Sequence, residues 1–390
     1  MMDTTQLIEA IAQCNRDVQD GKPGARERLL PLTYQLSASV ETPSQTIWRT
    51  FFSDPIKAAT TRAAVDLNMF EQLKTAKGTP KTAAELAEPS KASAALVRRL
   101  AAYLVSVSII GETGADQYIS TPLSDAFTEA RFAGGVIYGH DVVAKSSWQI
   151  PDYLRKRGYE NPSNPVDAPL QDAFGTKEHF FPYISASPLL IKSFNDFMGA
   201  YRLGKQPWNE FYPIQERLLS DSPTDSTVLV DVGGSLGHDL IDTLKKFPQL
   251  KGRLVLQDRP EVIGSIKELT EGIEKQAHDF FTPQQVQAKA FYLHSVLHDW
   301  DDESCISILQ NLIPAMSKGS KVLINDLLVP DQDPNWSVTT MDLAMMALGS
   351  VKERTESEWK DLVARAGLKV TGIFTSFDPS TECIIEAELP

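Results

Sequence analysis

The sequence has little cysteine and a deficit of positive charge, and each shortage excludes a class of protein. Its three cysteines, Cys14, Cys305 and Cys383, lie far apart and form no CxxC pair. This predicts a reducing compartment, the cytosol, and no structural zinc or other metal site. Lys and Arg number 38 against 51 Asp and Glu, a net charge of -13. An acidic surface repels phosphate groups, so we expect neither nucleic acid nor a membrane surface as a partner.

Long apolar runs are missing as well. A membrane helix needs about 18 consecutive apolar residues, and the most apolar stretch, residues 100–110, is much shorter. The amino terminus has neither a basic segment nor an apolar core, so we expect no secretory signal. Hydrophobic residues at 42% and charged residues at 23% are typical of globular proteins, and the length favours two or three domains.

The first part of the chain has helical spacing. Residues 1–40 predict a helical arm that is broken between Gly21 and Gly24. Residues 41–130 predict several helices, one capped by Thr82, followed by a small hairpin at GETGADQYI, which is a winged-helix pattern. DNA binding is the alternative for such a module, but its charge is nearly balanced and its SAALVRRL helix carries only two adjacent arginines. We therefore interpret it as a packing and dimerisation domain.

The remaining chain divides into an aromatic layer and an α/β domain. Residues 131–220 are rich in aromatic residues and proline, and LLIKSFNDFMGAYRL predicts a helix, so we expect a helical connecting layer whose rings form a core, a small-molecule pocket or both. Residues 221–390 alternate short apolar strands with amphipathic helices, which predicts a parallel, doubly wound, Rossmann-like sheet. The predicted strands are STVLVDV, RLVLQD, AKAFYLHSVL, SKVLIND, FTSF and ECIIEAEL.

The strongest local motif is a glycine-rich turn between a strand and a helix, Asp231-Val-Gly233-Gly234-Ser-Leu-Gly237. Without side chains, such a turn lets a ligand approach the backbone N–H groups. Asp258, 21 residues beyond Gly237 at the end of the next strand, can accept hydrogen bonds from ribose hydroxyls. The turn and Asp258 are compatible with an NAD site and with an adenosylmethionine site. The acidic Asp231 and the departure from GxGxxG favour adenosylmethionine, since a carboxylate pairs with an amino group and repels a pyrophosphate.

A second acidic turn contains Asp279 and Phe280. It fits recognition of adenine, with the carboxylate on the exocyclic amine and the ring against the base. The alternative is that Asp279 only caps a helix over TPQQVQAK.

A histidine with two later carboxylates is the candidate catalytic group. His298 ends the third predicted strand, at the edge where open α/β sheets bind ligands. A lone histidine there is more often structural. Asp326, which ends VLIND, and Glu353, just before a Thr355-x-x-Glu358 capping box, fall on the same edge and can hold the imidazole in one tautomer.

Together these motifs resemble a known family. DVGGSLGH, LQDRPEVI, HDFF, LHDWDDE and MDLAMMALGSVKERTESEW, in this order, are similar to the S-adenosylmethionine-dependent O-methyltransferases of the plant and fungal caffeic acid and flavonoid type. The resemblance covers nearly the whole chain from about residue 40. It implies a Rossmann-like methyltransferase domain behind a winged-helix dimerisation domain, S-adenosyl-L-methionine as cofactor, and a homodimer. The implied substrate is a phenolic or enolic small molecule of aromatic or polyketide type, in secondary metabolism.

The resemblance also implies roles for single residues. His298 matches the general base, flanked by Asp326 and Glu353. The cofactor would lie along the glycine-rich turn, on Asp258, and between Asp279 and Phe280. The positions that match the family's clamp on an aromatic substrate are Met198, Trp208, Met341 and Met345.

Three departures from the family pattern keep an alternative open. Ser235 replaces a glycine, Asp326 replaces a glutamate, and His294 stands where many relatives carry Lys or Arg. Certain fungal pericyclases similar to these methyltransferases retain S-adenosylmethionine as a bound positive charge and do not methylate. His140 is a candidate second hydrogen-bond donor for such a reaction, or an ordinary core or surface residue. The alternative function is thus a cofactor-bound pericyclase or dehydratase that catalyses a cycloaddition, whereas His298 favours methyl transfer.

Overall fold

The computed structural model of the chain describes residues 2–201, 203, 205–220, 226–376 and 382–390. Its contacts define two units, each described here by itself. The first unit comprises Met1–Asn15, Leu32–Tyr159 and Pro169–Gly204, and the second comprises Arg16–Pro31, Glu160–Ala168 and Lys205–Pro390. The predicted boundary between residues 220 and 221 borders the segment 221–225, which lies outside the described residues, and the predicted domain limits stay predictions.

Helices dominate the amino-terminal part, as the spacing predicted. The predicted break after the first helix is present, and the side chain of Thr82 caps a helix together with Glu85. The predicted hairpin is a short antiparallel pair of strands. In chain order the elements are α1 (Thr4–Gln19), α2 (Ala25–Val40), α3 (Pro43–Trp48), α4 (Asp54–Asp66), α5 (Met69–Thr75), α6 (Ala83–Ala87), α7 (Ala94–Ser106), β1 (Gly111–Gly114) and β2 (Gln117–Ile119).

The aromatic layer is helical and its rings pack on one another. Tyr138 lies 5.3 Å from Phe194 and 6.1 Å from Phe197, between ring centroids. A Cβ at Gly135 would lie 2.7 Å from the Phe197 ring, so the missing side chain lets the two helices approach closely. The helices are α8 (Pro122–Ala126), α9 (Ala130–Tyr138), α10 (Lys145–Trp148), α11 (Ile150–Lys156), α12 (Pro169–Phe174), α13 (Phe180–Ser185), α14 (Pro188–Tyr201) and α15 (Trp208–Phe211).

The carboxyl-terminal part is the predicted alternation of strands and helices. Apolar residues of α18 and α20 cover one face of the main sheet, and residues of α15 and α16 cover the other. The elements are β3 (Leu229–Val232), α16 (His238–Lys246), β4 (Leu254–Asp258), α17 (Pro260–Ser265), β5 (Ile273–Ala277), β6 (Ala290–His294), α18 (Asp302–Leu312), β7 (Lys321–Asp326), β8 (Leu328–Val329), α19 (Trp336–Gly349), β9 (Arg354–Thr355), α20 (Glu356–Arg365), β10 (Lys369–Thr375) and β11 (Cys383–Glu388).

The main sheet has seven strands in the order β10-β11-β7-β6-β3-β4-β5. The strands from β7 to β5 are parallel, as predicted, but β11 runs antiparallel to both of its neighbours. The link between β10 and β11, residues 376–382, is shorter than the dozen or so residues that a parallel crossover needs, so these strands pair antiparallel. The sheet is therefore mixed.

Some predictions for this part need correction. Strand β5 was not predicted, because it is an edge strand in which only Ile273 is buried. The last but one strand begins at Lys369, earlier than FTSF, whose Phe377 lies outside the described residues. No helix forms over TPQQVQAK. Instead Gln284 is buried there and exchanges hydrogen bonds of 2.7 and 3.0 Å with the side-chain amide of Gln257.

Candidate active site

The predicted catalytic and cofactor-binding residues gather at one edge of the sheet, where the parallel strands end. Strand β3 lies between β4 and β6, so the glycine-rich turn after β3 is adjacent to the ends of both neighbours. Asp258 is the last residue of β4, and Asp326 is the last residue of β7. This is the edge at which open α/β sheets bind ligands.

The turn after β3 is shaped so that only glycine fits two of its positions. The N–H groups of Gly233 and Gly234 donate to the carbonyl oxygen of Gln257 at 2.8 and 3.1 Å. Gly233 has a φ of +78°, a conformation that other residues rarely adopt. A Cβ at Gly234 would overlap the carboxyl group of Asp231, which is buried at the end of β3. The Asp231 carboxylate therefore packs directly against the backbone of the turn.

Asp258 ties the end of β4 to this turn. Its Oδ2 accepts a hydrogen bond of 2.8 Å from the N–H of Ser235, and its Oδ1 accepts one of 2.7 Å from the N–H of Arg259. Ser235 itself has a φ of +52°, so the serine that replaces a glycine keeps the left-handed backbone. Each carboxylate oxygen keeps a second lone pair, which can accept from a ligand hydroxyl.

Asp279 and Phe280 form the next part of the edge. The Asp279 carboxylate accepts from the N–H of Phe281 at 3.0 Å and so stabilises a turn, not a helix. The Phe280 ring lies beside Gly233, 3.8 Å from the position of a Cβ there. It packs edge to face against Phe281 and Trp300, at 5.0 and 6.0 Å between centroids. Trp300 was not predicted, although it lies in the same LHDWDDE motif as His298.

His298 lies on the turn Leu297–Asp299, which follows β6. Its Nδ1 is 2.9 Å from Oε1 of Glu353, whose side chain is fully buried. Since a carboxylate only accepts, Nδ1 carries the hydrogen and Nε2 is the nitrogen left for a substrate. The N–H of Glu353 donates to Oδ1 of Asp342 at 3.0 Å, which fixes the backbone behind the pair.

The other predicted carboxylate, Asp326, makes no hydrogen bond to the histidine in the part of the chain that the structure describes. It is 1% exposed, and neither of its carboxyl oxygens has a partner among those residues. Asp299, which was not predicted, places Oδ1 3.7 Å from Nε2 of His298. The direct support of the ring thus comes from Glu353, and Asp326 acts on it only through its charge.

These acidic groups determine the charge of the histidine. Burial lowers the pKa of His298, but Asp299, Glu353 and Asp326 outweigh it and raise this pKa to about 10. Burial raises the pKa of Asp326 to about 7 and that of Asp299 to about 6, against the opposing effect of His298. These carboxylates therefore favour the protonated form of the imidazole in the ligand-free protein. A second histidine, His294, lies with Nδ1 2.6 Å from Oδ2 of Asp239 at the start of α16.

Three predicted substrate residues lie in this unit. Met341 and Met345 are half-buried and one turn apart on α19, which contacts the turn that carries His298. Trp208 is 3% exposed and packs in the core, with its ring stacked on Tyr292 at 4.6 Å. The geometry gives Trp208 a packing role, and its contact with a substrate stays a prediction.

The other two predicted substrate residues, His140 and Met198, belong to the first unit. Nδ1 of His140 lies 2.7 Å from Oδ1 of Asp141, whose other oxygen accepts from Arg62. His140 also borders a cavity of about 430 Å³ together with Thr61 and other residues of the same unit. The roles of His140 and Met198 stay predictions.

The edge fits S-adenosylmethionine by its donor set and its space. A glycine-lined turn, where side chains would fill the space, adjoins the carboxylates of Asp231 and Asp258. Such groups suit an amino group and ribose hydroxyls. Among the described residues no three His, Cys, Asp or Glu side chains are grouped to bind a metal ion, and no described helix has the length and hydropathy to cross a bilayer.

Comparison with known proteins gives two domain matches. Residues 209–369 match the O-methyltransferase domain, and residues 52–130 match the O-methyltransferase dimerisation domain. The O-methyltransferase mpaG of Penicillium roqueforti is 39% identical over 394 residues, which cover 99% of this chain and 98% of the relative. The demethylsterigmatocystin 6-O-methyltransferase of Aspergillus parasiticus is 35% identical over 82% of each chain.

Several solved structures share the fold of this chain over nearly its whole length. A structure described as a pericyclic reaction enzyme has a TM-score of 0.90 and 29% identity, and the match covers 97% of this chain and 98% of that one. LepI in complex with S-adenosylmethionine matches with the same TM-score and identity, over 97% of each chain. OxaC in complex with sinefungin and meleagrin has a TM-score of 0.86 and 26% identity over 99% of each chain.

Proposed function

This chain belongs to the O-methyltransferase family, and on that premise we propose that it methylates an oxygen of a phenolic or enolic small molecule, with His298 as general base. The observation that carries this proposal is the His298–Glu353 pair. It lies at the sheet edge that also bears the glycine-lined turn, and Nε2 is left for the substrate. Relatives named for O-methylation support an aromatic or polyketide-type substrate in secondary metabolism.

The base has a definite task. A phenol has a pKa of about 10 and is a poor nucleophile at neutral pH, so a group that takes its proton makes the oxygen reactive. Glu353 holds the hydrogen on Nδ1, which directs the lone pair of Nε2 outward. When bound, S-adenosylmethionine supplies the electrophilic methyl group and a positive charge that disfavours a second cation nearby. We infer that His298 is neutral only in the loaded site.

The other predicted site residues bind the cofactor and the substrate and orient them. We propose that Asp231 and the glycine-rich turn hold the methionine and ribose, that Asp258 holds the ribose hydroxyls, and that Asp279 and Phe280 bind the adenine. We assign the substrate clamp to Met341 and Met345 on α19, with Met198 and Trp208 as further candidates. Orientation of two reactants is itself a large source of rate, because it makes the displacement effectively unimolecular.

Replacement of the histidine tests the base. We expect His298→Ala to bind S-adenosylmethionine as well as the parent protein, because the glycine-rich turn is untouched, and to lose most of its turnover. Calorimetry measures the affinity, and transfer of a labelled methyl group to a panel of phenols measures the turnover. Unchanged turnover would exclude His298 as the base.

A second candidate function is a pericyclase or dehydratase that binds the cofactor without using its methyl group. The similarity to a pericyclic reaction enzyme favours it, and so does the imidazolium, which can donate to a carbonyl oxygen. Product formed with one S-adenosylhomocysteine per turnover supports methyl transfer. Product formed without S-adenosylhomocysteine supports the second candidate.

We further propose a homodimer formed through the winged-helix domain. An apolar ridge lies within the first unit, and its residues Ile47, Trp48, Phe51, Phe52 and Ile56 are all about half exposed or more. Exposed apolar patches of this kind mark interfaces. Sedimentation at micromolar concentration should show a dimer for the parent and for a control, Val166→Asp, and a monomer for Trp48→Asp. A monomeric parent would contradict the proposal.

The domain limits of the proposal are residues 1–40 for the arm, 41–130 for the dimerisation domain, 131–220 for the connecting layer and 221–390 for the cofactor domain. A cytosolic location is also proposed. It rests on the scarcity of cysteine in the sequence.

A further inference from the structure

An arginine from a distant part of the chain donates hydrogen bonds to the backbone of the turn that carries His298. Arg354 follows Glu353 directly and is 1% exposed. Its Nη1 donates to the carbonyl oxygen of Leu297 at 3.1 Å, and its Nη2 donates to that of Trp300 at 3.0 Å. The two carbonyls lie on either side of His298 in the sequence. One guanidinium therefore holds both ends of the turn.

The guanidinium is fully engaged. Its Nε and Nη2 donate to Oδ1 of Asp302 at 3.0 and 2.8 Å, and its carbon lies 5.1 Å from the ring centre of Trp359. A buried charge with these partners keeps a fixed position. The thiol of Cys305 donates to the carbonyl oxygen of Leu297 at 3.1 Å and so adds a second contact at the same end of the turn.

The backbone hydrogen bonds within the turn stabilise it only weakly. It is one short 3-10 turn, whose internal N–H to carbonyl bonds measure 3.2 Å from Asp299 to Val296 and 3.3 Å from Trp300 to Leu297. These are at the long end of the normal range. Arg354 binds the carbonyl oxygens at both ends of the turn, so we expect the backbone position of His298 to depend on a side chain 56 residues further along the chain.

We propose that Arg354 is a positioning residue that fixes the backbone of His298 while its neighbour Glu353 fixes the ring. The proposal rests on the proposed function of His298 as the base. Consecutive residues thus hold the two parts of one catalytic group. A lysine cannot replace the arginine fully, because one ammonium lacks the planar fork that spans two carbonyls and a carboxylate.

The experiment compares Arg354→Met and Arg354→Lys with the control Arg365→Met, which removes an exposed arginine paired with Glu303. We expect kcat to fall roughly 100-fold in Arg354→Met and roughly tenfold in Arg354→Lys, since a displacement of about 1 Å has effects of this size. The affinity for S-adenosylmethionine should stay within about twofold, because the glycine-rich turn is not touched. The control should keep the parent kcat.

A second measurement needs no substrate. The His298 ring signal, identified by its loss in His298→Gln, is titrated by NMR in each protein. In Arg354→Met the ring should move from Glu353 and its pKa should fall, whereas Arg365→Met should titrate as the parent does.

A folded Arg354→Met or Arg354→Lys with parent kcat and parent titration would overturn the proposal, as would an equal loss of cofactor affinity and kcat. A parent protein that forms no S-adenosylhomocysteine refutes the proposed function instead. The NMR titration then still tests whether Arg354 positions the His298 ring.

Discussion

The effect of the Glu353 charge on His298 can be tested with Glu353→Gln, which replaces one carboxylate oxygen by an amide nitrogen. The amide oxygen can still accept from Nδ1 of His298, so the ring keeps its tautomer, but the negative charge is removed. A hydrogen bond to a charged group at 2.9 Å in a buried site contributes about 1.5 to 3 kcal/mol. At 1.36 kcal/mol per unit, loss of the charge from this hydrogen bond, with the bond itself retained, lowers the pKa of His298 by about 1 to 2 units.

The direction of the pH effect follows from the role of the group. A general base works when neutral, so the rate of methyl transfer rises as the pH passes the pKa of His298. In Glu353→Gln this rising limb should move about 1 to 2 units to lower pH, and the plateau should fall about tenfold because the weaker base takes a proton less readily. A catalytic donor predicts the opposite, a rate that falls with rising pH.

Initial rates of labelled methyl transfer between pH 5.5 and 10 measure both quantities. The matched control is Glu303→Gln, which removes the same charge from an exposed position. We expect its profile to coincide with that of the parent. A limb that stays in place in Glu353→Gln, or moves to higher pH, would refute the view that this carboxylate sets the basicity of His298.

Two further predictions concern stability and cofactor binding. Burial raises the folded-state pKa of Asp326 to about 7, above that of the unfolded chain, so the unfolded state releases its proton first and stability falls as the pH rises from about 4 to about 7. Asp326→Asn should lack this fall and be more stable than the parent by roughly 4 kcal/mol at pH 8, with little difference at pH 4, measured by urea unfolding. Gly234→Ala should lose at least roughly tenfold in affinity for S-adenosylmethionine, since its Cβ would overlap the Asp231 carboxyl, whereas Gly264→Ala, at an open helical position, should bind normally. Equal affinities in calorimetry would contradict this.

Much of the fold was predictable because local patterns carry it. The apolar runs at β3, β4, β6 and β7 and the helices between them are evident from periodicity, and the capping box of Thr355 and Glu358 is present as predicted. The edge strand β5 was missed because it buries almost nothing. The direction of β11 was missed as well, although the length of the link before it contains that information.

The sequence predicted which candidate residues lie at the edge of the sheet, as for Asp231 and Asp258, whereas His298 lies on a turn beyond the end of β6 and not at the strand end; the roles of these residues stay predictions. The site was not predictable where a contact joins distant segments. Asp326 is an intermediate case, since the sequence shows an aspartate in place of the family's longer glutamate, but not where its carboxyl group lies relative to the histidine. The grip of Arg354 on the backbone near Leu297 is such a contact, because no local pattern marks a side chain that binds carbonyls 54 to 57 residues away.

The adjacency of Glu353 and Arg354 also matters for recombination between family members. Hydrogen bonds join two segments that are far apart in the sequence, residues 297–302 and residues 353–354. A chimera with a crossover between them joins a histidine turn from one parent to a carboxylate and guanidinium from the other. Exchange of specificity by segment grafting should therefore succeed when both pieces come from the same parent, together with Asp342 on α19, whose carboxylate binds the N–H of Glu353.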